Sequence, residues 1–289
     1  MTGGASNQTD VFDTVSNSTR VDILHALARA YGETPTDPYL EYTDLRKAVG
    51  VRDNGNFNYH LDQLGDLVVK RDDGYTLSRV GMEVVSAVSS GVFDADWTWG
   101  PVDAPGDCLF CDDAVQLHYE DGVLWLSCGM DEHTVGLSVP PSLLESHPED
   151  VVVERIAFLE NRWGALTRQG ICSECRGYVE GEIEFGGVQP DHYHYHGRCR
   201  RCGFRHGIPV GLYLLSHPAV TTFYYDHGVD VRSTPFWTVD GCTPGAETVL
   251  STDPLRLRVE FTQDGDTLSL TLDRDGSVVS TDRSSAPAE

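Results

Sequence analysis

The chain has 289 residues, 40% of them hydrophobic, and carries 45 acidic side chains against 21 basic ones for a net charge of −24. Two domains of ordinary size fit that length. No run of eighteen apolar residues is present to span a bilayer, and the opening MTGGASNQTD lacks the charged-then-apolar order of a secretion signal, so a cytoplasmic location is expected. So acidic a surface repels phosphate at low salt, which excludes a nucleic-acid binder that works by general basic charge. Only Lys47 and Lys70 are lysines; every other basic side chain is arginine. Acidic, lysine-poor composition points to adaptation to high salt, because the Debye length shrinks to ~3 Å at 1 M and self-repulsion then costs little.

Residues 1–10 are small and polar and are expected to form a flexible tail. VFDTVS (11–16) suits a short helix, and Ser18 is a suitable N-cap for a second with Val21, Leu24, Leu27 and Tyr31 on one face. A proline-containing loop (32–41) follows, then a third helix from Thr43 that Gly50 ends. GNFNYHLDQL places Phe57, Leu61 and Leu64 at i, i+4 and i+7 of a fourth helix. LVVKR and YTLS, joined through Asp73-Gly74, read as a hairpin, and residues 82–88 as a last helix. Three helices, a tight turn, a helix, a hairpin and a helix over 11–93 is the order of a winged helix-turn-helix DNA-binding domain. The outer face of the fourth helix carries Asn56, Asn58, Tyr59 and Gln63. Side-chain amides match adenine edges, and Arg52 with the hairpin's Lys70 and Arg71 suits phosphates. The alternative is a domain of the same shape used for protein contact.

Residues 94–107 read as a linker. Cys108-x2-Cys111 and Cys128 then flank a hairpin turning at Asp121-Gly122, a first zinc-ribbon-like hairpin over 108–139. Its fourth cysteine position is Asp131, and His133 two residues on is preferred as the fourth ligand, since Cys3His is a known structural zinc set. A ribbon that has lost its metal is the other reading. Residues 140–170 form a helical segment started at Pro148, with Val152, Ile156, Leu159, Trp163 and Leu166 as a core or subunit-contact stripe. Cys172-x2-Cys175 and Cys199-x2-Cys202 make a complete second zinc ribbon, within a segment, 171–241, that also holds a following helix and a strand. About two Zn2+ per chain are therefore expected. Within this ribbon Glu180, Glu182 and Glu184 alternate on one strand, and His192, His194 and His196 on the other. They read either as exposed cross-strand pairs or as a metal- or pH-responsive surface. Residues 242–283 give a C-terminal β hairpin and 284–289 a tail. The fold class is thus α+β: a winged helix-turn-helix, two zinc-ribbon-like hairpins with an intervening helix, and a C-terminal hairpin. Closed four-donor sites do not catalyse, so no enzyme is expected and no catalytic residue is assigned.

GNFNYHLDQL followed by KRDDGYTLSRVG resembles the winged helix of haloarchaeal ArsR-like transcriptional regulators, in which Phe57-Asn58-Tyr59-His60-Leu61 stands where the family carries F-x-Y-H-L. The strings Pro140-Pro141-Ser142, Cys172 to Gly177 and His217 to Asp230 are similar to the zinc-ribbon C-terminal region of some members. The resemblance touches most of residues 11–240 and implies a DNA-binding regulator of double-stranded DNA, acting as a homodimer. The sensor cysteines that metal-responsive members carry in the third helix are absent from TDLRKAVG, so metal sensing there is not implied. A zinc-ribbon adaptor that contacts protein or RNA, with the winged helix used for assembly, is the competing function.

Overall fold

A computed structural model describes residues 6–285 except 35, 73, 112, 131 and 187–191. The chain divides into two compact units, 1–93 and 94–289. It is an α+β protein with helices first and several antiparallel sheets after them. Among the described residues, no helix is long and apolar enough to cross a membrane.

The first unit contains α1 (Ser6–Val15), α2 (Ser18–Glu33), α3 (Tyr42–Val49), α4 (Asn54–Gln63), β1 (Val68–Arg71), β2 (Gly74–Leu77) and α5 (Arg79–Ser89). The expected tail gives way to helix from Ser6 onward, and residues 1–5 and Asp73 lie outside the described residues. Asn17, one position before Ser18, caps α2 by accepting from the Arg20 amide at 3.3 Å. α3 starts at Tyr42, after Glu41, with no side-chain cap, rather than at Thr43. Gly50 closes α3 at φ +76, a left-handed position that glycine occupies without strain. Ile23, Leu24, Leu27, Leu45, Phe57, Leu61 and Val85 make one apolar core from four helices. The β1–β2 hairpin is held to the loop before α3 by a bridge between Leu40 and Tyr75. Gly74 permits this: a Cβ there would stand 2.3 Å from the Leu40 carbonyl oxygen.

In the second unit, β3 (Trp99–Asp107), β4 (Ala114–Glu120), β5 (Val123–Ser127) and β6 (Thr134–Leu137) form an antiparallel meander. The stretch expected as a linker is therefore largely a strand. Pro101 and Pro105 sit in it because β3 is at the sheet edge, where a missing N–H breaks no ladder on the open side, and the β3–β4 register shifts at both. α6 (Pro141–Ser146) and α7 (Glu149–Arg168) follow. Next comes a three-stranded sheet of β7 (Val179–Phe185), β8 (Tyr193–Cys199) and β9 (Arg205–Pro209), with β8 central. α8 (Val210–Leu214) and α9 (Pro218–Asp226) lead into three short 3-10 turns, where a strand was expected after the helix. The C-terminal region is a four-stranded meander, not a lone hairpin: β10 (Glu247–Thr252), β11 (Leu255–Gln263), β12 (Asp266–Asp273) and β13 (Val278–Ser284). Residues 286–289 of the expected tail lie outside the described residues.

One continuous core joins these sheets, including Leu117, Leu124, Ile156, Val210, Phe223, Trp237, Leu257 and Leu270. The joins are also polar: Trp237 Nε1 donates to the Pro105 carbonyl at 2.8 Å, and the Ile183 amide donates to the Arg274 carbonyl at 2.7 Å.

Candidate metal centres and candidate nucleic-acid interface

Cys108 and Cys111 stand in the β3–β4 connection, and Cys128 and His133 in the β5–β6 connection. The antiparallel meander brings the two loops to the same end of the sheet. One ligand atom from each of the four residues falls within 4.8 Å of the others. His133 Nδ1 lies 3.3 Å from Cys111 Sγ, 3.6 Å from Cys128 Sγ and 3.9 Å from Cys108 Sγ, and Cys111 and Cys128 are 3.6 Å apart. A tetrahedral ion with bonds of about 2.3 Å to sulfur and about 2.0 Å to nitrogen needs S···S of about 3.8 Å and S···N of about 3.6 Å. The donor set fits. His133 supplies the fourth donor, while Asp131 lies outside the described residues. The Phe110 ring stacks on His133 at 5.1 Å, which fixes the imidazole plane.

The second set is Cys172 and Cys175 in the turn after α7 with Cys199 at the end of β8 and Cys202 just after it. Cys172 and Cys202 are 3.8 Å apart and Cys175 and Cys199 3.4 Å. Backbone amides of Gly177 and Arg201 donate to Cys175 Sγ and Cys199 Sγ, each at 3.4 Å. Such bonds favour thiolate over thiol. The Cys202 amide, chiefly, brings the Cys199 thiol down to about 6, and the Met130 amide brings Cys128 down to about 7. In each set, backbone donors thus favour the thiolate form of one cysteine. Both sets are compatible with one metal ion, two per chain. Four protein donors apiece leave no open coordination position, so the ions would tie loops together rather than activate water.

In the first unit, Asp53 caps α4 by accepting from the Asn56 amide at 2.6 Å. Phe57, His60 and Leu61 face the core, which turns Asn56, Asn58, Tyr59 and Gln63 outward. Arg52, Lys70 and Arg71 are exposed as well. An open groove of about 630 Å3 between α4 and the β1–β2 hairpin brings Asn58, Lys70 and Arg71 together; Arg52, Asn56, Tyr59 and Gln63 lie outside its walls. Asn54, Tyr42 and Thr43 also line it and escaped the sequence reading. Asn54 follows the capping Asp53 directly, and that position was the available signal.

The histidine row is not an exposed surface. His192 and His194 are fully buried and His196 half-buried, while Glu182 and Glu184 opposite them stay exposed. β7 is an edge strand and β8 a central one, and Cys242 and Glu247, the first residue of β10, meet His192 on the β8 face. His192 Nε2 donates to the Cys242 carbonyl at 3.1 Å and its Nδ1 meets the Glu247 carboxylate. His194 Nδ1 donates to the His192 carbonyl at 3.2 Å, which leaves its buried Nε2 without a partner. Burial first, then the neighbouring His192 and His196, push His194 down to about 4. Among the described residues, this row forms no group of three ligand atoms close enough for a metal.

Two family models match the chain, one described as Domain of unknown function (DUF7347) over residues 8–88 and one as Domain of unknown function (DUF7351) over residues 105–278. No curated protein and no solved structure matches it.

Proposed function

We propose that this chain, which belongs to the DUF7351 family by a match to more than half of its length, is a sequence-specific DNA-binding transcriptional regulator. In this reading the first unit is a winged helix-turn-helix like that of the ArsR-like regulators, with α4 as recognition helix and β1–β2 as wing. The second unit is a scaffold held by two Zn2+, in a cytoplasm of high salt.

The observation that carries the reading is the groove in which Asn58 on α4 faces Lys70 and Arg71 on the hairpin. An amide suited to a base edge and two cations suited to phosphate are set at the spacing of neighbouring elements, not scattered over the surface. Tyr59 and Gln63 are exposed on the same helix, outside the groove walls. Residues 11–90 hold 8 basic and 12 acidic side chains, so affinity cannot come from bulk charge. Counterion release also fades at molar salt. Base-edge contacts then supply most of the free energy, and a homodimer on a two-fold site doubles them.

The test is a binding titration on genomic fragments at several KCl concentrations. Binding should persist in molar KCl with a shallow salt slope. Asn58→Ala should cost about 1–3 kcal/mol on a preferred fragment and relax its preference, while Arg71→Ala should weaken all fragments alike. If no fragment is preferred at any salt, the DNA reading fails and a zinc-ribbon adaptor contacting protein or RNA replaces it.

A further inference from the structure

The second unit contains an open cavity of about 580 Å3 between the C-terminal end of α7, the β7 and β8 strands, α8 and the β12–β13 turn. That volume is in the range of small-molecule sites, roughly 300–1,000 Å3. Its walls include Arg168, Tyr178, Tyr195, Tyr213, His217 and Gly276.

Arg168 is the arginine of this wall. Its Nε donates to Ser216 Oγ at 3.3 Å and one Nη to the Ser216 carbonyl at 3.4 Å, which fixes the guanidinium in place. Among the described residues no carboxylate pairs with it, in a chain where acids outnumber bases by 45 to 21. The same wall holds two carboxylates, Glu180 paired with Arg200 and Asp275 accepting from the neighbouring Ser277 amide at 2.9 Å. His217 Nδ1 accepts from the Ala219 amide at 3.2 Å, so its proton sits on Nε2, a donor. Burial, then the Arg168 charge, lowers the affinity of His217 for a second proton.

Apolar recognition stands beside this polar pair. Tyr195 and Tyr213 stack at 4.8 Å with planes 19° apart, both buried. Tyr178 adds an exposed ring at the rim. Gly276 has φ +84, and a Cβ there would lie 2.7 Å from the Tyr213 hydroxyl oxygen, so the glycine leaves that hydroxyl its room.

We infer that this cavity is a binding site for a small aromatic carboxylate, its carboxylate held by the free Nη of Arg168 and the Nε2–H of His217 and its ring packed against the exposed Tyr178. A planar guanidinium is well shaped to donate to a carboxylate, and Ser216 takes only Nε and one Nη of Arg168, leaving the other Nη to donate. The site lies wholly within residues 94–289, so it stands apart from the DNA reading.

The experiment is calorimetric titration of the full chain with benzoate in molar KCl, with acetate and inorganic phosphate as comparison probes. Benzoate should bind at one site per chain, at least tenfold more tightly than acetate or phosphate. Arg168→Gln should weaken benzoate at least tenfold, and Tyr178→Ala, at an exposed ring, several-fold with folding intact. Arg168→Lys, which keeps the charge and loses the fork, should also weaken it. No benzoate binding, equal binding by wild type and a folded Arg168 variant, or phosphate bound as tightly as benzoate overturns the inference.

Discussion

His194→Asn should make the second unit less sensitive to acid. In the wild type the His194 imidazole is buried and neutral, with a pKa of about 4 against an ordinary 6.5. Between those values the unfolded chain binds the proton and the folded chain does not. The contribution is therefore intact above pH 6.5 and is lost as pH falls toward 4. Each unit of difference corresponds to about 1.4 kcal/mol, and integration from pH 7 to pH 5 gives a loss of about 2 kcal/mol. Asparagine places an amide N–H near the position of Nδ1, so the bond to the His192 carbonyl can be kept while the titration is removed. All five tryptophans lie beyond residue 94, so their fluorescence follows this unit alone. The assay is urea unfolding by that signal at pH 7 and pH 5 for both proteins. The wild type should lose about 2 kcal/mol more than the variant over this interval. Equal changes in the two proteins would refute the assignment of a buried neutral imidazole to position 194.

Glu160 works in the opposite sense. It is buried on α7 with Oε1 unpartnered, and burial pushes it up to about 8, so its stability contribution is lost as pH rises from 4.5 through 8; Glu160→Gln should stabilise the unit at pH 8 by about 2–4 kcal/mol and by less than 1 kcal/mol at pH 5 in the same urea assay. Purified protein should carry about two zinc ions by elemental analysis, and Cys172→Ser with Cys175→Ser should remove one and expose amides across 170–207 to hydrogen exchange. His133→Ala should release the other ion at a chelator concentration that leaves the Cys172 set loaded; retention by both sets would show that His133 is not a ligand.

The donor sets are legible in sequence because C-x2-C spacing is a property of one turn, and His133 is legible because one loop carries it. α4 and its outward amides follow from helical periodicity. What escapes is whatever depends on a distant partner. Period two assigns His192, His194 and His196 to one face, but only the β10 segment some fifty residues on decides that the face is covered. β10 and β13 are edge strands with mostly exposed side chains, so they lack the alternation that marks β11 and β12. β3 is hidden by prolines that an edge position tolerates. The cavity around Arg168 draws on five elements, none of which signals it alone.

The joins between Trp237 and Pro105, Ile183 and Arg274, and His192 and Glu247 bear on how the chain folds as it leaves the ribosome. The first unit is made of local contacts and can close once its own 93 residues have emerged. The second cannot complete its core until β12 is available, because its early sheets lean on late segments. Long-range closure of this kind is slow and leaves strand edges open in the meantime. The cysteine sets are exceptions, since each spans only about thirty residues of chain. A metal ion taken up by either set would hold two loops closed while the remaining chain is still being synthesised.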